Sequence, residues 1–347
     1  MKPKVLLINP NKWGRGITHI WIASHSAYLK SKNIDVRLFD STFYENWTNN
    51  ETLFNTFNTQ YKPSEYDKVI RFNKNDIYTD LQKCCDEYKP DYIFWSALSS
   101  HIHGEGEYVN IQYGSDLIKK ISTSAIKIAG GLQATADPKL VLSNLKNIDY
   151  LISGESEIVL YELIKAHQKN QNRNLEISVD GVNYIEPSGK FVKGKTQKII
   201  SDMDIIPHYD YSLFDEQVFM RPYNGKVLKA IDYELSRGCM FSCQYCVETI
   251  IQDYYGFDEV NSRGSILNSK SYLRNKSARR IFEELDYLVK ELKIELIRSQ
   301  DTNFLTINKK VLNELAILVK NEGLKYEMYI ETRPEGINAK TIELLKD

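Results

Sequence analysis

The stretch Glu234–Thr249 reads ELSRGCMFSCQYCVET and sets Cys239, Cys243 and Cys246 in a C-x3-C-x2-C spacing. The chain has only five cysteines, and three of them crowd into this one loop. An odd cluster leaves one thiol over, so it is not a disulfide framework and points to metal instead. Soft thiolates select zinc, copper(I) or an iron–sulfur cluster. A closed zinc site takes four ligands, yet no Cys follows Cys246 and no His follows His208. Iron–sulfur clusters ordinarily use four cysteines. Three thiolates and an open position therefore suit a four-iron, four-sulfur cluster whose fourth iron takes an exchangeable ligand. A zinc site completed by a remote Cys or His is the rival.

Composition narrows the setting. At 347 residues the length fits two or three domains, and a hydrophobic content of 42% supplies a packed core. The formal net charge of −1 steers nothing toward nucleic acid or an anionic membrane. The first residues, MKPKVLLINPN, carry too short an apolar run for a signal-peptide core, and no stretch approaches the roughly 20 apolar residues of a membrane helix. The expected compartment is the reducing cytoplasm. The adjacent pair Cys84-Cys85 falls in a helical pattern from Asp76 to Tyr88 and reads as buried or idle thiols.

N-terminal to the cysteine loop, strands and helices alternate. Strands are expected at Val5–Ile8, Val36–Phe39, Asp91–Leu98, Ile126–Ala129 and Tyr150–Ile152. Helices are expected at Trp21–Ser31, Tyr108–Ile121, Asp137–Leu145 and Glu155–His167, and a polar, aromatic loop at Asn46–Asn58. This order predicts right-handed crossovers and a doubly wound parallel sheet, whose ligands bind beyond the carboxyl ends of the strands. A hairpin around Pro187-Ser188-Gly189 and an Asp- and Pro-containing linker, Ser201–Phe214, follow.

The cysteine loop resembles the signature of the radical S-adenosylmethionine (radical SAM) superfamily: C-x3-C-x2-C after a strand (Lys229–Leu235), with the aromatic Tyr245 just before the last Cys. The resemblance implies that SAM occupies the open iron and is cleaved to methionine and a 5′-deoxyadenosyl radical that abstracts hydrogen from a substrate. Tyr245 is then a candidate cofactor contact.

Upstream, GGLQATADPKLVL (Gly130–Leu142) and DYLISGESE (Asp149–Glu157) resemble the cobalamin-binding domain fused ahead of many radical SAM cores. Glycines let a backbone approach a flat macrocycle closely, and small side chains leave room for it. The resemblance makes Gly130, Gly131, Ala134, Thr135, Gly154 and Glu155 the candidate cobalamin contacts. The D-x-H-x-x-G motif of domains that ligate cobalt through histidine is missing; that region reads NPNKWGRGITH. His19, His25, His101 and His103 lie in or near the ligand-facing loops and read as polar loop residues.

Downstream, the helix Ser277–Lys293, the strand Glu295–Ser299, the helix Lys309–Asn321, the strand Lys325–Glu331 and a helix from Ala339 resemble the first half of the radical SAM partial (β/α) barrel. In QDTNF, Asp301 matches an acidic position that touches the methionine end of SAM in the family. Arg333 in ETRPEG lies at the carboxyl end of the third strand, suited to a carboxylate or phosphate of SAM or substrate, or to an ion pair with Glu331 or Glu335. Half of the family's barrel strands have no counterpart, so the chain reads as C-terminally incomplete, or as one completed by another polypeptide. The basic stretch with Arg263, Lys270, Arg274, Lys276, Arg279 and Arg280 reads as a solvated loop and helix start, or as a lid over an anionic substrate.

The expected organisation is a cobalamin-binding, Rossmann-like domain over residues 1–170, a hairpin and linker over 171–225, and a truncated radical SAM barrel over 226–347. The expected activity is cobalamin-dependent radical C-methylation of a small molecule, with a 4Fe–4S cluster, SAM and cobalamin as cofactors. A flavodoxin or ferredoxin is the expected electron donor, and neither nucleic acid nor a membrane span is expected. A cyclase or rearrangement enzyme of the same class, or a non-catalytic zinc module, are the alternatives.

Overall fold

The computed structural model describes residues 2–48, 64–97, 110–170 and 177–346. Its first sheet is built on β1 (Lys4–Asn9), where Val5, Leu6, Leu7 and Ile8 are all fully buried. Burial of successive residues, which point to opposite faces, requires that both faces be covered, as in a parallel sheet flanked by helices. The strands are β2 (Asp35–Asp40), β3 (Tyr92–Ala97), β4 (Ile126–Gly131) and β5 (Tyr150–Ile152), in the spatial order β2-β1-β3-β4-β5 and all parallel. The helices are α1 (Ile20–Ser31), α2 (Ile77–Tyr88), α3 (Ile111–Ile118), α4 (Leu132–Ala136), α5 (Pro138–Asn144) and α6 (Glu157–Asn170). α2 and α5 start where the sequence caps them: Asp76 accepts from Thr79 N, and Asp137 from Leu140 N ahead of Pro138.

Alternate residues of β1 feed two cores. Val5 and Leu7 pack with α1 and α6 through Trp21, Ile22, Leu160 and Leu163, whereas Leu6 and Ile8 pack with α2 and α3 through Leu81, Tyr88 and Leu117. Each fully buried Leu or Ile contributes about 1.5–3 kcal/mol. Trp95 is fully buried, with Nε1 donating to Ile111 O at 2.9 Å. α3 approaches it so closely that a Cβ on Gly114 would stand 2.2 Å from the indole.

The hairpin β6 (Val182–Ile185) and β7 (Phe191–Val192) forms as expected, but it is not free-standing. β6 adds antiparallel to β5 and extends the first sheet to seven strands. At the other end of the expected linker, β8 (Met220–Tyr223) pairs antiparallel with β9 (Lys226–Tyr233) and belongs to the second sheet. The stretch 171–225 thus divides between the two sheets. Parallel to β9 run β12 (Leu296–Ser299) and then β13 (Glu327–Tyr329), connected by α8 (Ala278–Lys290) and α9 (Lys309–Asn321), with α10 (Ala339–Lys346) following. Of the apolar face that the sequence periodicity predicts, Ile281, Leu285, Leu288 and Leu292, α8 buries the first three, and Leu292 lies past its end and is half-buried. Ile231, Tyr233, Leu285 and Ile297 are continuous with the α1–α6 core of the first sheet, so one apolar body joins the two halves. Among the described residues no helix is long and apolar enough to cross a membrane.

Candidate cluster and cofactor site

β9 delivers the chain to the cysteine loop. After Leu235 a short strand, β10 (Ser236–Arg237), pairs antiparallel with β11 (Arg274–Asn275). Gly238 then turns the chain at φ +92°, with Tyr272 O only 2.7 Å from where a Cβ would sit. Cys239 follows and is buried. The loop is braced from both sides: Ser242 N donates to Gly264 O at 2.9 Å, Ile266 N to Met240 O at 2.9 Å, and Cys246 N to Cys243 O at 2.8 Å. Gln252, on the helix α7 (Glu248–Tyr254) that follows the last cysteine, donates through Nε2 to Cys239 O at 2.9 Å and Phe241 O at 3.1 Å.

The thiols differ in setting. Burial pushes the Cys239 thiol up to about 11 and raises that of Cys246 as well. Such thiols ionise when a metal takes the charge, and binding then releases protons. Cys243 is half-buried and accepts from Arg333 Nη1 at 3.0 Å. Tyr245 is 82% exposed; the neighbouring Cys243 raises its phenol. Among the described residues no three His, Cys, Asp or Glu converge closely enough to hold a single metal ion. A cluster engages each thiolate through a different iron, so its ligands stand further apart than the four around one tetrahedral zinc.

Arg237, two residues before Cys239, is the electrostatic centre. It donates from Nη1 to Glu155 at 3.2 Å, from Nη2 to Glu157 at 2.7 Å and from Nε to Glu234 at 2.9 Å. Arg274 joins from β11, donating to the same Glu155 oxygen at 2.6 Å and to Ile200 O at 3.1 Å. Burial alone would raise Glu157, but Arg237 and His25 bring it down to about 2. Asp232, at the end of β9, accepts from Thr18 N and Oγ1, each at 3.0 Å, from Gln300 Nε2 at 2.8 Å, and from Arg221. Burial opposes ionisation there too, and Arg221 and Arg298 hold Asp232 at about 2.

These groups wall a cavity of about 270 Å³ between the carboxyl ends of the two sheets. From the first sheet come Trp21, His25, Gly131, Thr135, Gly154 and Glu155; from the second come Asp232, Glu234, Arg237, Gly238, Gln300 and Thr302. Thr135 links two expected contacts, since its hydroxyl donates to Gly131 O and accepts from Gly154 N, each at 2.9 Å. Ala134 is fully buried in the core that Leu6 and Ile8 share, and Gly130 packs against Phe94. Gly154 (φ +81°) is approached by protein: a Cβ there would lie 2.6 Å from Tyr255 Oη and 2.7 Å from Tyr254. Tyr255 Oη in turn accepts from Glu155 N at 2.9 Å. Both ring nitrogens of His25 are bonded, to Trp21 O at 2.6 Å and Ser156 Oγ at 2.8 Å. His101 and His103 lie outside the described residues.

Asp301 does not line the cavity, although Gln300 and Thr302 on either side of it do. Its buried carboxylate accepts from Leu235 N at 3.2 Å, Ser236 N at 2.6 Å, Ser236 Oγ and Ser299 Oγ, and thus ties the start of the cysteine loop to the end of β12. Arg333 pairs with Glu335, one of the two partners considered for it, and reaches Cys243 as well. Three members of the basic stretch are neither solvated nor part of a lid. Arg274 binds Glu155, and Lys276 and Arg280 are buried against Glu284 at 2.8 and 3.0 Å.

No protein-family model matches the chain. An uncharacterized methyltransferase of Pyrococcus horikoshii is 26% identical over 281 residues, 81% of this chain and 54% of that protein. The anaerobic magnesium-protoporphyrin IX monomethyl ester cyclase of Rubrivivax gelatinosus is 23% identical over 277 residues, 79% of this chain and 43% of that one. The chain thus spans about half the length of the curated relatives it matches. Among solved structures, the radical SAM methyltransferase TsrM from Kitasatospora setae, with cobalamin and a 4Fe–4S cluster bound, aligns with 99% of this chain and 59% of its own (TM-score 0.67, 15% identity). The cobalamin-dependent SAM radical enzyme OxsB, with aqua-cobalamin and SAM bound, aligns with 99% of this chain and 41% of its own (TM-score 0.60, 17% identity).

The chain has the fold of the cobalamin-dependent radical SAM enzymes. Within that fold the Gly-Glu-x-Glu stretch, expected at the cobalamin site, supplies carboxylates to Arg237 and Arg274. Sequence reasoning placed Arg274 only in a basic stretch and gave Arg237 no role, because the glutamates they bind, Glu155 and Glu157, lie 80 or more positions away. The one local signal was the density of charge around a buried loop, SRG before Cys239 and LRNK after Tyr272.

Proposed function

We propose that this chain is the core of a cobalamin-dependent radical SAM enzyme, with the cluster on Cys239, Cys243 and Cys246 and the corrin in the cavity between the two sheets. The observation that carries this reading is a juxtaposition: the residues that flank the three-cysteine loop, Arg237 and Gly238 before it and Glu248 and Ile251 after it, line one cavity with the Gly131 and Gly154 turns, while the three cysteines themselves stand just outside its lining. The cysteines fit a cluster, since three thiols sit on one loop with two of them partly exposed. The turns fit a corrin in part: Gly131 and Thr135 line the space, whereas Tyr254 and Tyr255 are seated on Gly154-Glu155. His25, with both nitrogens bonded, is not a cobalt ligand in this arrangement.

When bound, the cluster supplies one electron to SAM and the corrin supplies a methyl carrier. The chain's own residues position and shield these groups. Asp301 fixes the end of β12 against the start of the loop, so that Gln300 and Thr302 face the cavity. Ile17, Trp21, Leu132 and Ile251 give the cavity an apolar lining that keeps water from a radical. Tyr245, exposed beside Cys243, would be the aromatic contact for a ligand on the open iron. The proposed reaction is methylation of an unreactive carbon in a small molecule in the cytoplasm, with a low-potential flavodoxin or ferredoxin as donor. The match to the anaerobic cyclase favours a second reading, in which the same centre oxidises or rearranges its substrate without methyl transfer.

The test is anaerobic reconstitution with iron and sulfide, followed by EPR of the reduced protein with and without SAM. A four-iron signal that shifts on adding SAM supports the reading. One equivalent of zinc and no iron after metal loading would replace it with the zinc module. Retention of hydroxocobalamin through gel filtration tests the corrin, and transfer of label from the SAM methyl group separates methylation from the cyclase-type outcome.

A further inference from the structure

Arg333 stands at the carboxyl end of β13, far in sequence from the cysteine loop, and its backbone is pinned. Arg333 N donates to Asn303 Oδ1 at 3.2 Å, Thr332 Oγ1 donates to the same oxygen at 2.8 Å, and Phe304 N donates to Glu331 O at 2.9 Å. The guanidinium is held on three sides. Its Nε (3.2 Å) and Nη2 both donate to Glu335, its carbon lies 4.1 Å from the centre of the Phe241 ring, and Nη1 is left to donate to Cys243 Sγ at 3.0 Å. Phe241 belongs to the cysteine loop itself. One cation therefore stacks on that loop and bonds to one of its sulfurs, in an orientation set by a carboxylate behind it. A planar fork clamped in this way is pre-oriented, which a flexible ammonium is not.

We infer that Arg333 is a positioning residue for the cluster, donating a charge-assisted hydrogen bond to the Cys243 sulfur that raises the cluster's reduction potential. The inference rests on the cluster reading above. Hydrogen bonds to cluster sulfurs are among the determinants of potential, and groups just beyond the ligands tune the centre they surround. Reduction adds one electron, and the ligand sulfurs carry more negative charge afterwards. A fixed cation on one sulfur thus stabilises the reduced form more than the oxidised form. No proton moves, because the guanidinium is charged in both states. Glu335 opposes this effect by drawing off part of the same charge.

The test is an EPR-monitored redox titration of the reconstituted 347-residue chain, with dithionite as reductant, on wild type, Arg333→Met, Arg333→Lys and Glu335→Gln. In Arg333→Met the ratio of reduced to oxidised cluster at the wild-type midpoint should fall about tenfold, a shift of about 59 mV for a one-electron couple. Arg333→Lys should fall between the two, and Glu335→Gln should shift the ratio upward. A residue that merely pairs with Glu335 would lower the melting temperature in both variants and leave the midpoint alone. Opposite shifts in Arg333→Met and Glu335→Gln therefore single out the proposed role. Full iron and sulfide content with unmoved midpoints overturns it. If Arg333→Met fails to hold iron, Arg333→Lys and Glu335→Gln decide by the same criterion. A wild-type chain without a cluster sinks the functional reading and this inference together, whereas a wild-type cluster with unmoved variants sinks this inference alone.

Discussion

Glu157 Oε1 lies 2.7 Å from Arg237 Nη2, and the two residues are 80 positions apart in the chain. One opens α6 beyond the carboxyl end of β5; the other stands two residues before Cys239. This pair, with Glu155 and Arg274 beside it, fastens the cysteine loop to the domain that faces it. The position of that loop therefore depends on residues of both halves.

Both side chains are largely buried, so removal of one partner leaves a charge without compensation, which costs about 3–5 kcal/mol. Arg237→Met should lower the unfolding free energy by that order, read as a fall in the urea midpoint multiplied by the m-value. Glu157→Gln should cost less, because Arg237 keeps Glu155 and Glu234. Urea unfolding followed by circular dichroism measures both. Equal midpoints for wild type and Arg237→Met would show that the clasp contributes nothing to holding the two halves together.

Acid should weaken the protein through Glu284 and Asp232. Burial opposes ionisation of each, yet Lys276 and Arg280 hold Glu284 at about 2, and Arg221 and Arg298 hold Asp232 at about 2, against ordinary values of 4.5 and 3.8. A carboxylate depressed in the folded state binds fewer protons there than in the unfolded chain. Its stabilisation is complete above the unfolded value and disappears as pH falls toward 2. Urea midpoints should be flat from pH 7 to about 5 and then drop through pH 4 and 3. Glu284→Gln should be less stable at pH 7 and lose less on acidification.

Much of this architecture was legible in the sequence, and the remainder was hidden for identifiable reasons. β1, β3 and β4 announce themselves as short apolar runs, and α8 as a stripe through Ile281, Leu285 and Leu288. β8 gives no such signal, because MRPY contains a proline and an arginine and holds its place only by pairing with β9. The three cysteines and Arg333 stood out by residue type and position. Their contacts did not, since Arg333 meets Cys243 from 90 residues away. Asp301 shows the same limit from the other side. Its identity was apparent, but it spends its carboxylate on backbone amides of the neighbouring strand end, which no local spacing encodes.

Asp301→Asn should test that structural role. The carboxylate accepts from two backbone N–H groups and two hydroxyls, and an amide nitrogen in its place would face donors with a donor. An unsatisfied buried group costs about 1–3 kcal/mol. The variant should melt earlier and take up less iron under the same reconstitution conditions. Normal melting with weakened SAM binding would instead assign Asp301 directly to SAM.

Gly238→Ala and Gly264→Ala form a matched pair at two turns beside the cysteine loop. Both glycines adopt positive φ, +92° and +71°, where a side chain costs roughly 1–2 kcal/mol. They differ in what a Cβ would meet. At Gly264 there is open space within 4 Å, whereas at Gly238 the Cβ would stand 2.7 Å from the backbone oxygen of Tyr272. That oxygen also accepts from Arg274 Nε at 3.0 Å, so it cannot retreat without disturbing the arginine that holds Glu155. Gly264→Ala should therefore lose only the conformational term and keep wild-type iron content. Gly238→Ala should lose more stability and release its iron faster to a chelator, because the clash displaces the residue next to Cys239. Thermal melting and the rate of iron loss to bathophenanthroline measure the two effects. Equal losses in both variants would show that Tyr272 yields freely and that the turn before Cys239 is held by backbone conformation alone.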